Sequence, residues 1–265
     1  HIIIILTNIN MVSILFWNVN GLRAINKKTT TNNLEFKNFI YGENVDIVCL
    51  NETKLSNTYE LFLDEYKYQI HSLSKTLKGY SGVSIFSKIR HIKEHSEFND
   101  IEGRIICLEY DTFVLINVYV PNASANLKRN NFKHTWMQSF MTNLNKLKNK
   151  TDKTILIAGD FNCALNDIDV YEPDKKHNTP GFTAIERQDH FNLLNMGFID
   201  PYRNKNPNKK IYTYYNKRIN AYKRNIGWYI DKILIDEKSL DRLTKYTIID
   251  EYGVSDHLPI KIKFD

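Results

Sequence analysis

Short apolar runs bounded by polar or turn residues recur along the chain: Val12 to Trp17, Val45 to Leu50, Gly82 to Phe86, Arg104 to Tyr110, Phe113 to Val120, Thr154 to Ala158, Tyr229 to Ile235 and Leu258 to Phe264. Runs of this length with β-branched and aromatic residues predict strands. Helical spacing is rarer. It appears at Phe36, Phe39 and Ile40, and again at Phe132, Trp136, Phe140, Leu144 and Leu147. A third helix is announced by Thr183 and Glu186, the capping-box spacing in which each side chain satisfies the other's backbone N–H, and it should run to about Met196 before Gly197. With so few helices among so many strands, strict βαβ alternation fails. The pattern predicts an α/β fold, a four-layer sandwich of two mixed β-sheets packed face to face with helices outside.

At 265 residues with no internal repeat, residues 11–265 read as one domain. The first ten residues, HIIIILTNIN, precede Met11, a candidate natural start, and read as a leader, a vector-derived remnant or an extra edge strand. Their five-residue aliphatic run is too short to span a bilayer, which takes about 20. They also lack the cationic flank and cleavage site of a signal peptide. Cys49, Cys107 and Cys163 are odd in number and each lies in an apolar run, which argues against a secreted disulfide framework and for an intracellular location, cytoplasmic or, in a eukaryote, nuclear.

The net charge of +6 becomes informative through its distribution. Between Arg203 and Arg224 stand eight basic residues and no acidic one, so the rest of the chain is net negative. Tyr212, Tyr214, Tyr215 and Tyr222 interleave with them. Cations alternating with aromatic faces suit a polyanion that carries stackable groups.

The polar clusters follow directly on the predicted strands: Asn18 and Asn20 after the first, Asn51 and Glu52 after the second, Asn117 to Asn122 after another, Asp160 and Asn162 after Ala158. Asp231 opens a late apolar run, and Ser255-Asp256-His257 precedes the last. Carboxylates with amide oxygens suit a hard cation such as Mg²⁺, which takes few protein ligands and keeps positions for substrate phosphate. Zinc is disfavoured, because no histidine pair or Cys-x-x-Cys occurs at ligand spacing. Taken alone, these residues reach metal-assisted phosphoryl chemistry and stop there.

At the same positions the chain resembles a known family. Trp17-Asn-Val-Asn-Gly-Leu-Arg23, Asn51-Glu-Thr-Lys54, Gly79-Tyr-Ser-Gly-Val83, Tyr119-Val-Pro-Asn122, Gly159-Asp-Phe-Asn162, Gly181-Phe-Thr183, Asn225-Ile-Gly-Trp228 with Asp231, and Ser255-Asp-His-Leu-Pro259 occur in the order found in exonuclease III type apurinic/apyrimidinic (AP) endonucleases of the endonuclease/exonuclease/phosphatase superfamily. The Asn-Glu-Thr, Gly-Asp-Phe-Asn and Ser-Asp-His pieces are shared across the superfamily. Gly-Phe-Thr with Glu186-Arg187-Gln188, the basic aromatic stretch and Gly-Trp are similar to the DNA-repair branch.

The resemblance implies Mg²⁺, which Mn²⁺ can replace, on Glu52, with Asn20 and Asp256 nearby. It implies Asp160 and Asn162 at the attacking water, and Tyr119, Asn18 and His257 on the scissile phosphate with Asp231 bonded to the imidazole. It further implies duplex DNA on Arg23, Lys27, Lys28, Tyr80, Lys217, Arg218, Lys223 and Arg224, and an abasic-sugar pocket made by Tyr214, Trp228 and Ile230. Two positions depart from animal members: Asn20 stands in place of an Asp, as in bacterial relatives, and Ala125 in place of an Arg that probes the duplex. The expected activity is cleavage 5′ to an abasic site in duplex DNA by a monomeric enzyme, with 3′-end trimming or 3′ to 5′ exonuclease action at the same site and no membrane partner. The rival readings are a phosphodiesterase of the superfamily acting on a lipid or inositol phosphate, and a catalytically dead DNA-binding homologue.

Overall fold

Two six-stranded sheets form the centre of the molecule. The computed structural model describes residues 11–28, 35–58, 65–98, 100–250 and 254–265, so the expectation for residues 1–10 lies outside the described residues. The strands are β1 (Val12–Asn18), β2 (Ile47–Asn51), β3 (Tyr68–Ser72), β4 (Val83–Ser87), β5 (Lys93–Glu94), β6 (Ile105–Glu109), β7 (Phe113–Tyr119), β8 (Thr154–Asp160), β9 (Phe198–Ile199), β10 (Tyr214–Tyr215), β11 (Gly227–Trp228), β12 (Asp231–Asp236), β13 (Leu243–Ile248) and β14 (Ile260–Phe264). One sheet has the order β13-β14-β1-β2-β4-β3 and the other β5-β6-β7-β8-β12-β9, while β10 and β11 form a separate ribbon. Each large sheet has one parallel pair at its centre, β1 with β2 and β7 with β8, and its remaining pairings are antiparallel.

Side-chain alternation along the strands builds the layers. Ile14, Phe16, Ile47, Cys49 and Ile85 turn inward to meet Leu115, Leu156, Ala158, Ile233 and Ile235 of the opposite sheet. Leu15, Trp17, Val48 and Leu50 turn outward onto α2 (Phe36–Glu43), which follows the short α1 (Leu22–Ile25). Val114, Ile116, Ile155 and Ile157 face outward onto α3 (Asn130–Lys148) and α4 (Ala184–Asn195) through Met137, Phe140, Leu144 and Leu193. This is the expected four-layer sandwich. The capping box also forms as expected: the Thr183 hydroxyl accepts from the Glu186 N–H, and the Glu186 carboxylate accepts from the Thr183 N–H. A fifth helix, α5 (Pro201–Lys205), is capped by Asp200.

Buried amides pin the sheets together near one end. Asn51 Nδ2 donates to the Val118 carbonyl at 2.6 Å, and Asn117 Nδ2 reaches the Ser84 and Leu50 carbonyls. Asn117 therefore lies within β7 and serves the sandwich, not a strand-end site. The registers set Asn18 opposite Asn51, Tyr119 opposite Asp160 and Asp231 opposite Asp160. The carboxyl ends of both parallel pairs thus meet on one rim, which Asp231 joins because β12 runs antiparallel to β8.

Candidate active site

The rim is shaped by turns that hold side chains against conformational preference. Asn20, Glu52, Lys54 and Asn162 all have positive φ, near +50°. Outside glycine this region costs about 1–2 kcal/mol per residue. Backbone bonds from neighbouring turns hold it, among them Gly21 N–H to Glu52 O, Thr53 N–H to Gly82 O and Lys54 N–H to Ser81 O. The Ser255 hydroxyl donates to the Asn18 carbonyl at 2.7 Å and Trp17 Nε1 donates to the His257 carbonyl at 2.8 Å, fixing the segment before β14 to the end of β1.

On this frame Asn18 bridges two carboxylates, donating to Glu52 Oε1 at 3.1 Å and Asp160 Oδ2 at 2.9 Å. Its own oxygen accepts from the Asn20 N–H, so a direct contact with phosphate requires one of the amide's bonds to be exchanged. His257 Nδ1 lies 2.9 and 3.0 Å from the two Asp231 oxygens, which leaves Nε2 for the cavity that the ring lines. Burial by itself would depress the imidazole, but the Asp231 carboxylate prevails and pushes it up to about 10. Asp160 is pushed up to about 7 by burial and by Asp231, with His257 opposing. A carboxylate poised there takes a proton near neutrality. Burial also works against the charge on Glu52, yet Lys54 and His257 outweigh it and hold the acid below its usual range.

One ligand atom each from Glu52, Asp160 and His257 lie within 4.8 Å of one another. The Asp256 carboxylate adjoins from the side, accepting from Asn20 Nδ2 at 3.0 and 3.2 Å. Lys54 places its ammonium 3.1 Å from Glu52 Oε2 and on the Asn20 amide oxygen, so positive charge already sits at this edge. Held as an imidazolium by Asp231, His257 carries protons on both ring nitrogens, so the donors left are carboxylate and amide oxygens, a set that fits a hard divalent cation.

Asn162 is held from four directions. Its N–H donates to Asp160 Oδ1, its Nδ2 to the Val120 carbonyl, its side-chain oxygen accepts from Asn122 Nδ2 at 2.7 Å, and its carbonyl accepts from Lys133. Lys133 is buried with Glu186 at 2.8 Å, and Glu186 in turn accepts from the Gly181 and Thr183 N–H groups. This ion pair locks the Gly181 turn beneath the site. A Cβ at Gly181, whose φ is +92°, would meet the Asn162 carbonyl at 3.3 Å and the Trp228 ring at 3.4 Å.

Beside the polar cluster opens a cavity of about 450 Å³. Glu52, Tyr119, Asp160, Asn162, Asp256 and His257 line its polar part, and Tyr214, Trp228 and Ile230 its apolar wall. The three wall residues do meet. Tyr214 pairs with Trp228 across the β10–β11 ribbon, and both pack on the cluster of Val170, Phe182 and Ile230. Tyr214 also lies 4.8 Å from the His257 ring, centroid to centroid.

A single family model spans residues 15–257, from β1 through His257. The chain belongs to the endonuclease/exonuclease/phosphatase family. It is similar to the exodeoxyribonuclease of Bacillus subtilis, with 32% identity over 94% of this chain and 98% of that protein. It is also similar to the DNA repair nuclease APEX1 of Danio rerio, 34% identical over 93% of this chain and 80% of that one. The solved AP endonuclease of Archaeoglobus fulgidus superposes with a TM-score of 0.81 at 28% identity, over 96% of this chain and 99% of that one.

Around the family's rim the expected DNA-facing residues separate. Arg23, Lys27, Lys223 and Arg224 are exposed. Lys28 and Lys217 come together from opposite ends of the chain, both donating to the Val254 carbonyl. Arg218 falls in the turn at 217–219, with its side chain outside the described set. Tyr80 is half-buried, and its hydroxyl accepts from Arg104 and Arg129. The aromatic basic stretch is less of a binding strip than its composition suggests. Tyr212 and Tyr215 are core residues with Ala221 and Leu258, and Arg203 is an internal partner of the buried Asp169. Sequence reasoning did not single out Lys54, Asn122, Lys133 or Lys176, which lines the cavity. Lys54 and Asn122 stood inside recognised motifs, whereas nothing local marked the other two.

Proposed function

We propose that the protein is a Mg²⁺-dependent endonuclease that hydrolyses the phosphodiester 5′ to an abasic site in duplex DNA and trims blocked 3′ ends at the same site. The observation that carries this reading is the junction of an acid and imidazole cluster with a pocket walled by Tyr214, Trp228 and Ile230. A phosphate placed at the cluster leaves its sugar facing that wall. An extruded sugar without a base suits such a pocket, and a full nucleotide is larger. Likeness to proteins named exodeoxyribonuclease and DNA repair nuclease supports the same substrate class.

A divalent ion held by Glu52, with Asp256 and Asn20 alongside, supplies charge stabilisation to the phosphoryl oxygens. Asp160 takes the proton of the attacking water and Asn162, which cannot change charge, orients it. The His257 imidazolium, held by Asp231, and the Tyr119 phenol face the phosphate as its negative charge spreads in the transition state. In this reading residues 11–265 form one catalytic domain that works as a monomer inside the cell, in the cytoplasm or, in a eukaryote, the nucleus.

The decisive experiment compares nicking of an abasic duplex with an undamaged one, with Mg²⁺ and with EDTA. Mg²⁺-dependent nicking of the abasic strand alone is expected, and binding without turnover would instead favour a catalytically dead homologue. The pocket has its own test. Trp228→Ala should lower abasic-site cleavage by more than removal of ordinary 3′ nucleotides. Equal loss of both, with the large fall in melting temperature expected of a core Trp→Ala change at about 3–5 kcal/mol, would reduce Trp228 to packing.

A further inference from the structure

Against Tyr119, which lines the cavity, packs a guanidinium that does not line it: Arg104 is 1% exposed. Its bonds are few and directional. Nε donates to Glu102 Oε2 at 2.7 Å, Nη1 to the Tyr119 carbonyl at 3.2 Å and Nη2 to the Tyr80 hydroxyl at 2.9 Å. The guanidinium carbon stands 4.7 Å from the centre of the Tyr119 ring and 5.5 Å from that of Tyr80. Below it, Arg129 grips both oxygens of Glu102 at 2.7 and 2.9 Å and also donates to the Tyr80 hydroxyl. The Tyr119 N–H returns to the Arg104 carbonyl at 2.8 Å.

We propose that Arg104 is a positioning residue for the Tyr119 phenol, an inference that rests on reading Tyr119 as a donor to the scissile phosphate. A buried arginine contributes little to stability unless its surroundings use its charge or its plane. Here the plane is spent on the ring of a site residue. Stacking on one face and a bond to the same residue's carbonyl fix where the ring can turn. The cation beside the π-system also draws electron density from the phenol, which strengthens its O–H as a donor. Lysine supplies the charge without the planar fork, so it cannot stack on Tyr119 while bonding Glu102, Tyr80 and the Tyr119 carbonyl together. The same guanidinium ties Tyr80, a residue expected to face DNA, to Tyr119 at the chemistry.

The test is a double-mutant cycle of Arg104→Lys and Tyr119→Phe, read as single-turnover cleavage of an abasic duplex with duplex affinity and melting temperature measured alongside. Arg104→Lys should slow cleavage about tenfold in the native background and less than about twofold where Tyr119 is Phe, with affinity changed by less than about twofold. The same loss in both backgrounds, or a loss that follows affinity or folded fraction, would overturn the proposal and leave Arg104 a structural ion pair. If Arg104→Lys yields no soluble protein, Glu102→Gln, which loosens the guanidinium while leaving it in place, is held to the same criteria. Failure of the unsubstituted protein to cut the duplex would overturn the proposed function, and this inference with it. Cleavage with independent effects overturns the inference alone.

Discussion

Asp160→Asn is expected to lower single-turnover cleavage by about 10²–10⁴-fold, the range for loss of a positioned general base. The residue ends β8 almost wholly buried, accepting from Asn18 on one oxygen and from the Asn162 N–H on the other. An Asn of the same shape cannot take a proton, and its NH₂ must oppose one of those donors. Binding should move the other way. Removing a negative charge from a surface that meets phosphates leaves duplex affinity equal or tighter. Stability separates lost chemistry from a lost fold. Because the folded carboxyl is raised to about 7 from its ordinary 3.8, mainly by burial and then by Asp231, ionised Asp160 works against folding. That penalty grows as pH rises from the unfolded value to the folded one and is then constant. In EDTA, the change in melting temperature on Asp160→Asn should therefore be more favourable at pH 8 than at pH 4, on top of the pH-independent cost of the opposed donor. Near-normal cleavage by a well-folded Asp160→Asn protein would remove Asp160 from the role of base.

The elements that sequence made legible are those with physics written locally. Central strands buried on both faces read as continuous apolar runs, which is why β1, β2, β4, β6, β7, β8 and β12 were expected within a few residues of where they lie, and β14, whose Ile260, Ile262 and Phe264 alternate with outward lysines, was expected too. The edges were not. The β3 segment Tyr-Gln-Ile-His-Ser is half-exposed throughout, and β13, Leu-Thr-Lys-Tyr-Thr-Ile, owes its place to pairing with β14. The same divide runs through the site. Glu52, Asp160 and His257 could be named because each follows or precedes a strand within a recognised motif. The Lys133–Glu186 pair joins α3 to the start of α4 across 53 positions, and Arg104 meets Tyr119 across the β6–β7 hairpin, so neither contact has a local signature. Composition misled where it was used without burial: of the tyrosines in the basic stretch, Tyr212 is wholly enclosed and Tyr214 alone lines the cavity.

The second large effect is expected at a residue that does not line the cavity. Asp231 is 0% exposed, its N–H donates to the Thr213 hydroxyl, and its carboxylate faces His257 Nδ1 with both oxygens. Two consequences of Asp231→Asn compete. Loss of a like charge should ease ionisation of Asp160, since Asp231 is the largest cause after burial of its raised value, and so supply more of the base form at neutral pH. Against this, the amide no longer holds the imidazolium, whose raised value rests on the Asp231 carboxylate, so the ring turns neutral, and where the amide keeps its oxygen on the Nδ1–H it selects the tautomer whose Nε2 cannot donate. The first effect is worth little, because an acid near 7 is already half ionised at neutral pH and can gain about twofold at most. The second removes the positive charge that meets the transition state and, in one tautomer, the proton aimed at the phosphate, and loss of one donor to a developing oxyanion costs about 10²–10³-fold. The imidazole should lose, so the net expectation is a fall of about 10²-fold in single-turnover rate with duplex affinity little changed, read on folded protein because breaking a buried ion pair also lowers the melting temperature. A fall of less than about tenfold would make the pair a structural tie between β12 and the segment that enters β14, and would leave the phosphate contact to Tyr119 and Asn18.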